Sequence, residues 1–305
     1  MRAVLVHCPP HGEVPFRHIG LAYLRAVLES ERVETKLLDI SASEGKAGTD
    51  FYDDIILYLS RSVGDVGDGL DPRLLMEVLH PDRFDEPSPL SQRIVERLDA
   101  RFEEIAAAGD VFLLPVNIIT YYFAAGLAHR LRAIGKRTAA GGPSTHFAPI
   151  RDLLLRCGSF DAVVEGEGEG IVVPLVRALG GAGGGAIQGL GSLPGVAFFD
   201  GTQVHATPAA PPPALESLPD PHFEADEVRD FVPILAARGC SARCSYCSEP
   251  FNWVRHRRRE PEAVLAEMDR AAKRWGVVNF HFHDDMINGN LPWFDRLLDL
   301  LIEGD

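Results

Sequence analysis

Apolar residues along this chain fall into two alternating patterns: short continuous runs, and longer stretches in which they recur every three or four positions. The first run, residues 2–8, predicts a strand ending at Pro9-Pro10. After a polar loop of His11, Gly12 and Glu13, helical spacing predicts a helix from about Pro15 to Ser30, with Ile19, Tyr23, Ala26 and Val27 on its apolar face. Val33–Ile40 predicts a second strand. Val111–Pro115 predicts a third, followed by a helix over about Phe123–Ile134. Arg137–Ala140 predicts a fourth strand ending in Gly141-Gly142. Ala162–Val164 predicts a fifth, ending in Gly166-Glu167-Gly168-Glu169 and leading into a helix over about Gly170–Leu179. Strands alternating with helices predict an α/β fold, a Rossmann-like doubly wound parallel sheet. Ligands of such sheets bind beyond the carboxyl ends of the strands, and here those ends carry Pro, Gly, His, Asn or Ser.

Two stretches interrupt the alternation. Roughly residues 43–108 lie between the second and third strands, with helical patterns at Phe51–Arg61, Pro72–Leu79 and Leu90–Ala107. This is longer than a connector, and it either caps the ligand face or decorates the rim. Residues 181–222 begin in a flexible glycine run, Gly180–Gly185. They continue through a small hairpin, Val196–Phe199 with Asp200-Gly201 and Val204, into an extended connector, Ala209–Pro213 and Leu218–Pro221, that cannot be helical. The expected organisation is a first domain over 1–180, a linker with a small hairpin over 181–222, and a second domain over 223–305. That last part predicts a strand over Phe231–Ala237, a helix opened by Glu260-Pro261-Glu262 and running to about Trp275, a strand over Val277–His283 ending in Asp284-Asp285, and a helix over Pro292–Ile302. No internal repeat is evident.

Composition narrows the class. Hydrophobic content of 46% and charged content of 24% suit a soluble globular protein. The net charge of −14 argues against non-specific nucleic-acid binding, which rests on phosphate neutralisation. Val111–Ala128 is largely apolar, but Pro115, Asn117 and Thr120 split it into strand, loop and helix, so it is not read as a membrane span. The N-terminal apolar run is too short for a signal peptide. Five cysteines, three of them clustered, fit a reducing cytoplasm better than a disulfide scaffold, with Cys8 and Cys157 as ordinary buried thiols.

The clustered cysteines are Cys240, Cys244 and Cys247, spaced C-x3-C-x2-C after a strand and Gly239. Three thiolates can hold three irons of a cubane cluster and leave the fourth open, whereas electron-transfer ferredoxins supply four cysteines. The alternative is a zinc site completed by His256 or a distant cysteine, although zinc sites usually add a second ligand pair and none is present.

With Tyr246 as the aromatic before the third cysteine, this loop resembles the cluster loop of radical S-adenosylmethionine (SAM) enzymes. The resemblance implies a 4Fe-4S cluster on Cys240, Cys244 and Cys247. It also implies SAM chelated at the open iron, and an electron that cleaves SAM to a 5′-deoxyadenosyl radical. Tyr246, Asp284 and Asp285 are then SAM-binding candidates. The Gly-Gly-Glu seen there in many members is absent, and Asp is also a common helix cap. The basic run Arg255–Arg259 either orients an acidic group or is a solvated turn with one internal salt bridge.

The first 200 residues resemble the cobalamin-binding domain that precedes the cluster domain in cobalamin-dependent radical SAM enzymes. The matching pieces are the Pro-Pro loop with His18-Ile19-Gly20, Gly141-Gly142-Pro143, and Gly166-Glu167-Gly168-Glu169. On this resemblance Gly12, His18, Gly20, Asn117, Thr120, Tyr121, Gly141, Gly142, Ser144, Gly166, Glu167 and Gly168 are cobalamin-binding candidates. The Asp-x-His-x-x-Gly fingerprint is absent, since Pro9 and Phe16 stand before His11 and His18, so no histidine ligand to cobalt is implied by that route. The glycines equally serve tight turns, and a flavin or nucleotide is the rival ligand for this sheet.

The implied activity is radical SAM chemistry leading to methyl transfer to an unactivated carbon, on a small-molecule or peptide substrate, with an external electron donor of flavodoxin or ferredoxin type. The alternatives are a radical SAM cyclase or ring-rearranging enzyme without methyl transfer, and a non-catalytic cobalamin-binding module. Members of the family build a partial TIM-type barrel of about six βα units. Only two fit between Phe231 and Asp305, leaving an open parallel edge that a partner chain or further strands would complete.

Overall fold

Seven strands form the main sheet of this computed structural model, which describes residues 1–8, 18–40, 53, 55–58, 71–181, 189–225, 227–228, 231–253 and 255–303. In chain order the elements are β1 (Arg2–His7), α1 (Ile19–Ser30), β2 (Glu34–Asp39), α2 (Pro72–Leu79), α3 (Pro89–Ala106), β3 (Val111–Pro115), α4 (Tyr121–Ala133), β4 (Arg137–Gly141), α5 (Ala148–Arg156), β5 (Ala162–Val164), α6 (Val172–Gly180), β6 (Val196–Phe199) and β7 (Val204–Ala206). The later elements are β8 (Val232–Ile234), β9 (Ala237–Arg238), α7 (Glu249–Asn252), β10 (Arg257–Arg258), α8 (Pro261–Trp275), β11 (Phe280–Phe282) and α9 (Leu291–Glu303). By their internal contacts the residues group into two units, Met1–Phe16 with Leu28–Pro211, and Arg17–Val27 with Pro212–Asp305.

The first unit's sheet has the order β2-β1-β3-β4-β5-β6-β7. Its first five strands are parallel, and the β6–β7 hairpin adds to β5 antiparallel. The order 2-1-3-4-5 is that of a doubly wound sheet, with its switch point between β1 and β3. The sequence-based fold expectation is met, and the hairpin read as part of a linker extends this sheet. The strands β1, β3, β4 and β5 are buried on both faces, as parallel sheets require, while the edge strand β2 is half-buried to exposed. Val4, Val6, Phe112 and Leu114 share one apolar cluster with residues of α2, α3, α4 and α5. Ala3, Leu5, Val111 and Leu113 are buried outside that cluster, and their alternation places them on the other face.

The helices of the 43–108 insertion start where their caps dictate. Asp71 accepts the amides of Arg73 (2.8 Å) and Leu74 (3.3 Å) ahead of Pro72, and Ser88 accepts the Ser91 amide (3.3 Å) ahead of Pro89. Gly126 on α4 lets α2 and α3 approach: a Cβ there would stand 2.7 Å from Val78 and 2.8 Å from Leu98. The expected helix Phe51–Arg61 lies largely outside the described residues, as does most of the glycine run. One helix was not anticipated: α5, which starts at Ala148 with Pro149 in its first turn and buries Ile150, Leu154 and Leu155.

In the second unit β8 and β11 pair in parallel, Val232 opposite Phe280 and Ile234 opposite Phe282. Helix α8 connects them, opened by Pro261 and closed by Gly276 at φ +67°. The apolar run expected as one strand splits, because Val232–Ile234 pairs with β11 while Ala237–Arg238 pairs antiparallel with β10. Ala22 of α1, Phe223, Ile234, Val264, Met268 and Leu297 form its core. Arg259 is buried in an ion pair with Glu267 of α8 (2.5 Å) and donates to the Leu235 carbonyl (3.1 Å), while Arg257–Arg258 forms β10, so the basic run is not a solvated turn. No helix among the described residues is long and apolar enough to cross a membrane.

Candidate functional site

The three clustered cysteines sit on the loop that leaves β9. Gly239, at φ +81°, makes the turn, and a side chain there would press within 3.0 Å of Trp253 and the Arg255 carbonyl. All three thiols are free; Cys244 is exposed, and Cys240 and Cys247 are half-buried. The Ala242 amide donates to Cys240 Sγ (3.4 Å), and the Cys247 amide to the Cys244 carbonyl (3.2 Å). Soft thiolates on one short loop, one of them already receiving an N–H, form a donor set that fits an iron–sulfur cluster. Among the described residues no three His, Cys, Asp or Glu side chains converge as a single metal ion would need, so no preformed zinc site is among them.

Tyr246 points into solvent, with 89% of its surface exposed. Asp284 holds backbone: its carboxylate accepts the amides of Ala237 and, at 3.3 Å, Ala236. Burial nevertheless pushes its pKa up to about 6, against those two bonds. Asp285 is also pushed up to about 6, by desolvation and then by Glu249, while bonds to the Gly239 backbone and the Trp253 side chain oppose the rise. Glu249 accepts the Trp253 indole N–H at 2.6 Å. Asp285, Glu249 and Trp253 therefore surround the base of the cysteine loop. Sequence reasoning missed Glu249 and Trp253, although their spacing of four on one short segment was a usable signal.

In the first unit the carboxyl ends of β3 and β4 are tied together. The Val116 amide donates to the Gly141 carbonyl (2.7 Å), and the Ser144 amide to the Val116 carbonyl (3.2 Å). Asn117, Gly141, Gly142 and Ser144 are thus brought to one edge. Asn117 Oδ1 accepts the amides of Ile119 (2.9 Å) and Thr120 (3.0 Å), which shapes the turn into α4. Thr120 and Tyr121 are 1% and 2% exposed, so their side chains belong to the protein core rather than to an open surface. Gly142 has a backbone reason of its own: φ is +111°, and a Cβ would meet the Val116 carbonyl oxygen at 3.0 Å. Gly141 has none of this kind, since a Cβ there would touch only Val164, at 3.9 Å. That open space at a strand end fits a ligand held close to backbone.

Gly166 (φ +90°), Glu167 and Gly168 form the half-buried turn after β5, and the Gly168 carbonyl accepts the amides of Ile171 (3.0 Å) and Val172 (2.8 Å). His18 Nδ1 accepts the Leu21 amide (3.3 Å) at the start of α1, and a Cβ on Gly20 would stand 3.4 Å from the His18 ring; both residues group with the second unit. Gly12 lies outside the described residues. The edge also presents Ile118, His146 and Phe147, which sequence reasoning passed over. Ile118 and Phe147 are exposed apolar side chains, and burial holds the His146 imidazole below its ordinary pKa, with Glu165 opposing.

No protein-family profile matches the chain. It is 31% identical over 146 residues to the anaerobic magnesium-protoporphyrin IX monomethyl ester cyclase of Cereibacter sphaeroides, a match covering 45% of this chain and 23% of that enzyme. It is 36% identical over 96 residues to the bacteriochlorophyllide d C-12(1)-methyltransferase of Chlorobaculum tepidum, covering 30% of this chain and 21% of the relative. Among solved structures, the radical SAM methyltransferase TsrM from Kitasatospora setae, with cobalamin and a [4Fe-4S] cluster bound, superposes with a TM-score of 0.62 at 18% identity. That superposition covers 99% of this chain and 52% of TsrM. The chain therefore shares its α/β fold with about half of that enzyme, and its matches span under a quarter of these two curated relatives.

Proposed function

We propose that this chain carries a 4Fe-4S cluster on Cys240, Cys244 and Cys247, binds SAM at that cluster, binds cobalamin at the carboxyl edge of the seven-stranded sheet, and takes part in radical SAM methyl transfer to an unactivated carbon. The carrying observation is the unbridged three-thiol loop after β9, in a fold that superposes along almost its whole length on a cobalamin- and cluster-bound methyltransferase. Residues 1–180 together with the β6–β7 hairpin that extends their sheet serve as the cobalamin-binding part, the extended stretch after β7 as linker, and 223–305 as the start of the radical SAM barrel. Further barrel strands, from a partner chain or a continuation, pair with the open edge of β11. An external flavodoxin- or ferredoxin-type donor supplies electrons, and the substrate is a small molecule or peptide.

When bound, the cluster supplies the electron that cleaves SAM, and cobalamin carries the methyl group; the protein's part is binding, orientation and exclusion of water. Gly239 sets the loop, Ala242 N–H stabilises the Cys240 thiolate, and Asp284 fixes the backbone of residues 236–237 from which the loop departs. Asp285 and Glu249 place two carboxylates at the base of the loop, where they can receive a cationic group such as the SAM amino group. In the first unit Gly141 leaves room for the corrin, and Ile118 and Phe147 offer it apolar contact.

The test is anaerobic incubation of the reconstituted chain with SAM and reductant, reading SAM cleavage and methylated product. Methylated product supports the proposal. SAM cleavage with a cyclised product instead supports the second reading, which the cyclase relative favours. The cobalamin edge is tested separately with Gly141→Val, which should weaken hydroxocobalamin binding at unchanged thermal stability; full affinity in that variant contradicts the edge assignment. Gly142 is the poorer probe, because any side chain there strains the backbone whether or not a ligand binds.

A further inference from the structure

Beside the cysteine loop one side chain is held more firmly than a half-buried methionine needs to be. Met286 Sδ accepts the Ser241 hydroxyl at 3.2 Å and stands 4.0 Å from Cys240 Sγ. The Met286 backbone is hydrogen-bonded by His256, whose Nε2 is buried without a partner among the described residues. Gly289 closes the packing: a Cβ there would lie 3.0 Å from the His256 ring, 3.2 Å from Met286 Sδ and 3.3 Å from the Ser241 hydroxyl. Met286 follows directly on Asp284 and Asp285, so the turn that carries the two carboxylates also brings a thioether onto the first cysteine.

We propose that Met286 is a positioning residue for the cluster: its side chain seats Cys240, the first of the three thiolates, and keeps water off that sulfur. The inference rests on the cluster reading above and goes beyond it, because the three-cysteine spacing says nothing about what lies behind each sulfur. Groups that pack on a metal's ligands orient those ligands and tune the retention of the metal, and their loss commonly costs 10- to 100-fold in affinity. Methionine suits the place because its unbranched thioether fills irregular space and its polarisable sulfur tolerates a neighbouring sulfur. The Ser241 hydroxyl adds a directional tether on the residue next to Cys240.

The test compares wild type, Met286→Ala and Met286→Leu after anaerobic reconstitution with iron and sulfide. The rate of iron release to a chelator is measured beside the melting temperature of the unloaded chains. Wild type and Met286→Leu, which keeps the bulk, should release iron at rates within about threefold of each other. Met286→Ala should release it about tenfold faster, with its unloaded melting temperature close to wild type. Gly289→Ala, which displaces the thioether without removing it, should also speed release. Equal release by wild type and Met286→Ala overturns the proposal while leaving the cluster intact. A Met286→Leu chain as leaky as Met286→Ala also overturns it, since bulk over Cys240 is then not what holds the iron. A wild-type chain that loads no iron overturns the cluster reading, and this one with it.

Discussion

Helices α4 and α9 have thirteen residues each, yet α4 buries nine of them and α9 buries only Leu297. The difference runs through the two units. In the first, strands β1, β3, β4 and β5 each have a neighbour on both sides, and helices cover the sheet. In the second, β8 is fully buried while β11 alternates between half-buried and exposed, and Val278, Leu291 and Ile302 leave 83%, 62% and 74% of their surfaces in solvent. Parallel sheets are ordinarily covered on both faces, and an open apolar edge is a site for further pairing. One unit is a finished layer structure; the other presents the surface on which the proposed further strands would pack.

The largest effect that sharpens this comparison is on the cluster. Cys244→Ala should abolish iron–sulfur absorbance after reconstitution while hydroxocobalamin binding persists, because the carboxyl edge of the seven-stranded sheet and the cysteine loop belong to different units. Retained absorbance contradicts the ligand assignment. Next comes the finished unit's internal bracing. Asp161, its side chain 2% exposed, accepts the Thr138 amide (2.9 Å) and pairs with Arg132 (3.0 Å) and Arg137 (3.4 Å). Asp161→Ala strands the buried Thr138 amide beside two partly exposed guanidiniums and should cost about 1–3 kcal/mol by chemical denaturation. A loss within experimental error would mean that those partners reach water.

The two units should also answer pH to different degrees. His80 and His129 stack edge to face at 5.1 Å, and burial holds both below their ordinary pKa of 6.5, aided by Arg83 for His80 and by His80 and Arg132 for His129. A depressed histidine contributes stability that is present above its unfolded pKa and lost as pH falls through the folded one. Asp284, raised by burial from 3.8 to about 6, contributes stability that is present below the unfolded value and lost as pH rises through about 6. Acidifying the metal-free chain from about pH 7 to about pH 5 should therefore weaken amide-exchange protection around α2 and α4, and weaken it less around β8 and β11, where the gain from Asp284 opposes the loss from His283, which burial also holds below its ordinary pKa. Equal losses in both regions contradict the assignment. The smallest effect lies on the open face. Ile302→Ser should change stability within about 0.5 kcal/mol, whereas Leu297→Ala, on the same helix but buried, should cost about 2–5 kcal/mol. Similar costs for the two would mean that the face is already covered.

Much of the fold was legible because local signals and tertiary context agreed. The helical patterns at Pro72–Leu79 and Leu90–Ala107 announced two helices of the insertion, which Asp71 and Ser88 then cap, and the apolar runs at 2–8, 111–115 and 162–164 announced buried parallel strands. Helix α5 was hidden because its three consecutive leucines, Leu153, Leu154 and Leu155, blur helical spacing and its start follows a loop of Gly, Pro, Ser and Thr. The cysteine loop stood out because three of the five cysteines fall within eight residues, and the cluster proposed for it rests on the family resemblance. What surrounds it did not: Asp284 reaches amides 47 and 48 residues away, and Met286 reaches a cysteine 46 residues away. Such contacts depend on the parallel pairing of β8 with β11, which no local pattern encodes. The candidate cofactor edge was legible only in part. Gly141 and Asn117 lie where the strand ends predicted, but Thr120 and Tyr121 turned inward, as the run Tyr121-Tyr122-Phe123 opening an apolar helix could have indicated.

The most direct test of the central claim is metal analysis after anaerobic reconstitution with iron, sulfide and hydroxocobalamin. The account predicts about four irons and about one cobalt per chain, with the charge-transfer absorbance of a 4Fe-4S cluster. A chain that takes up cobalt but no iron, or neither metal, contradicts it.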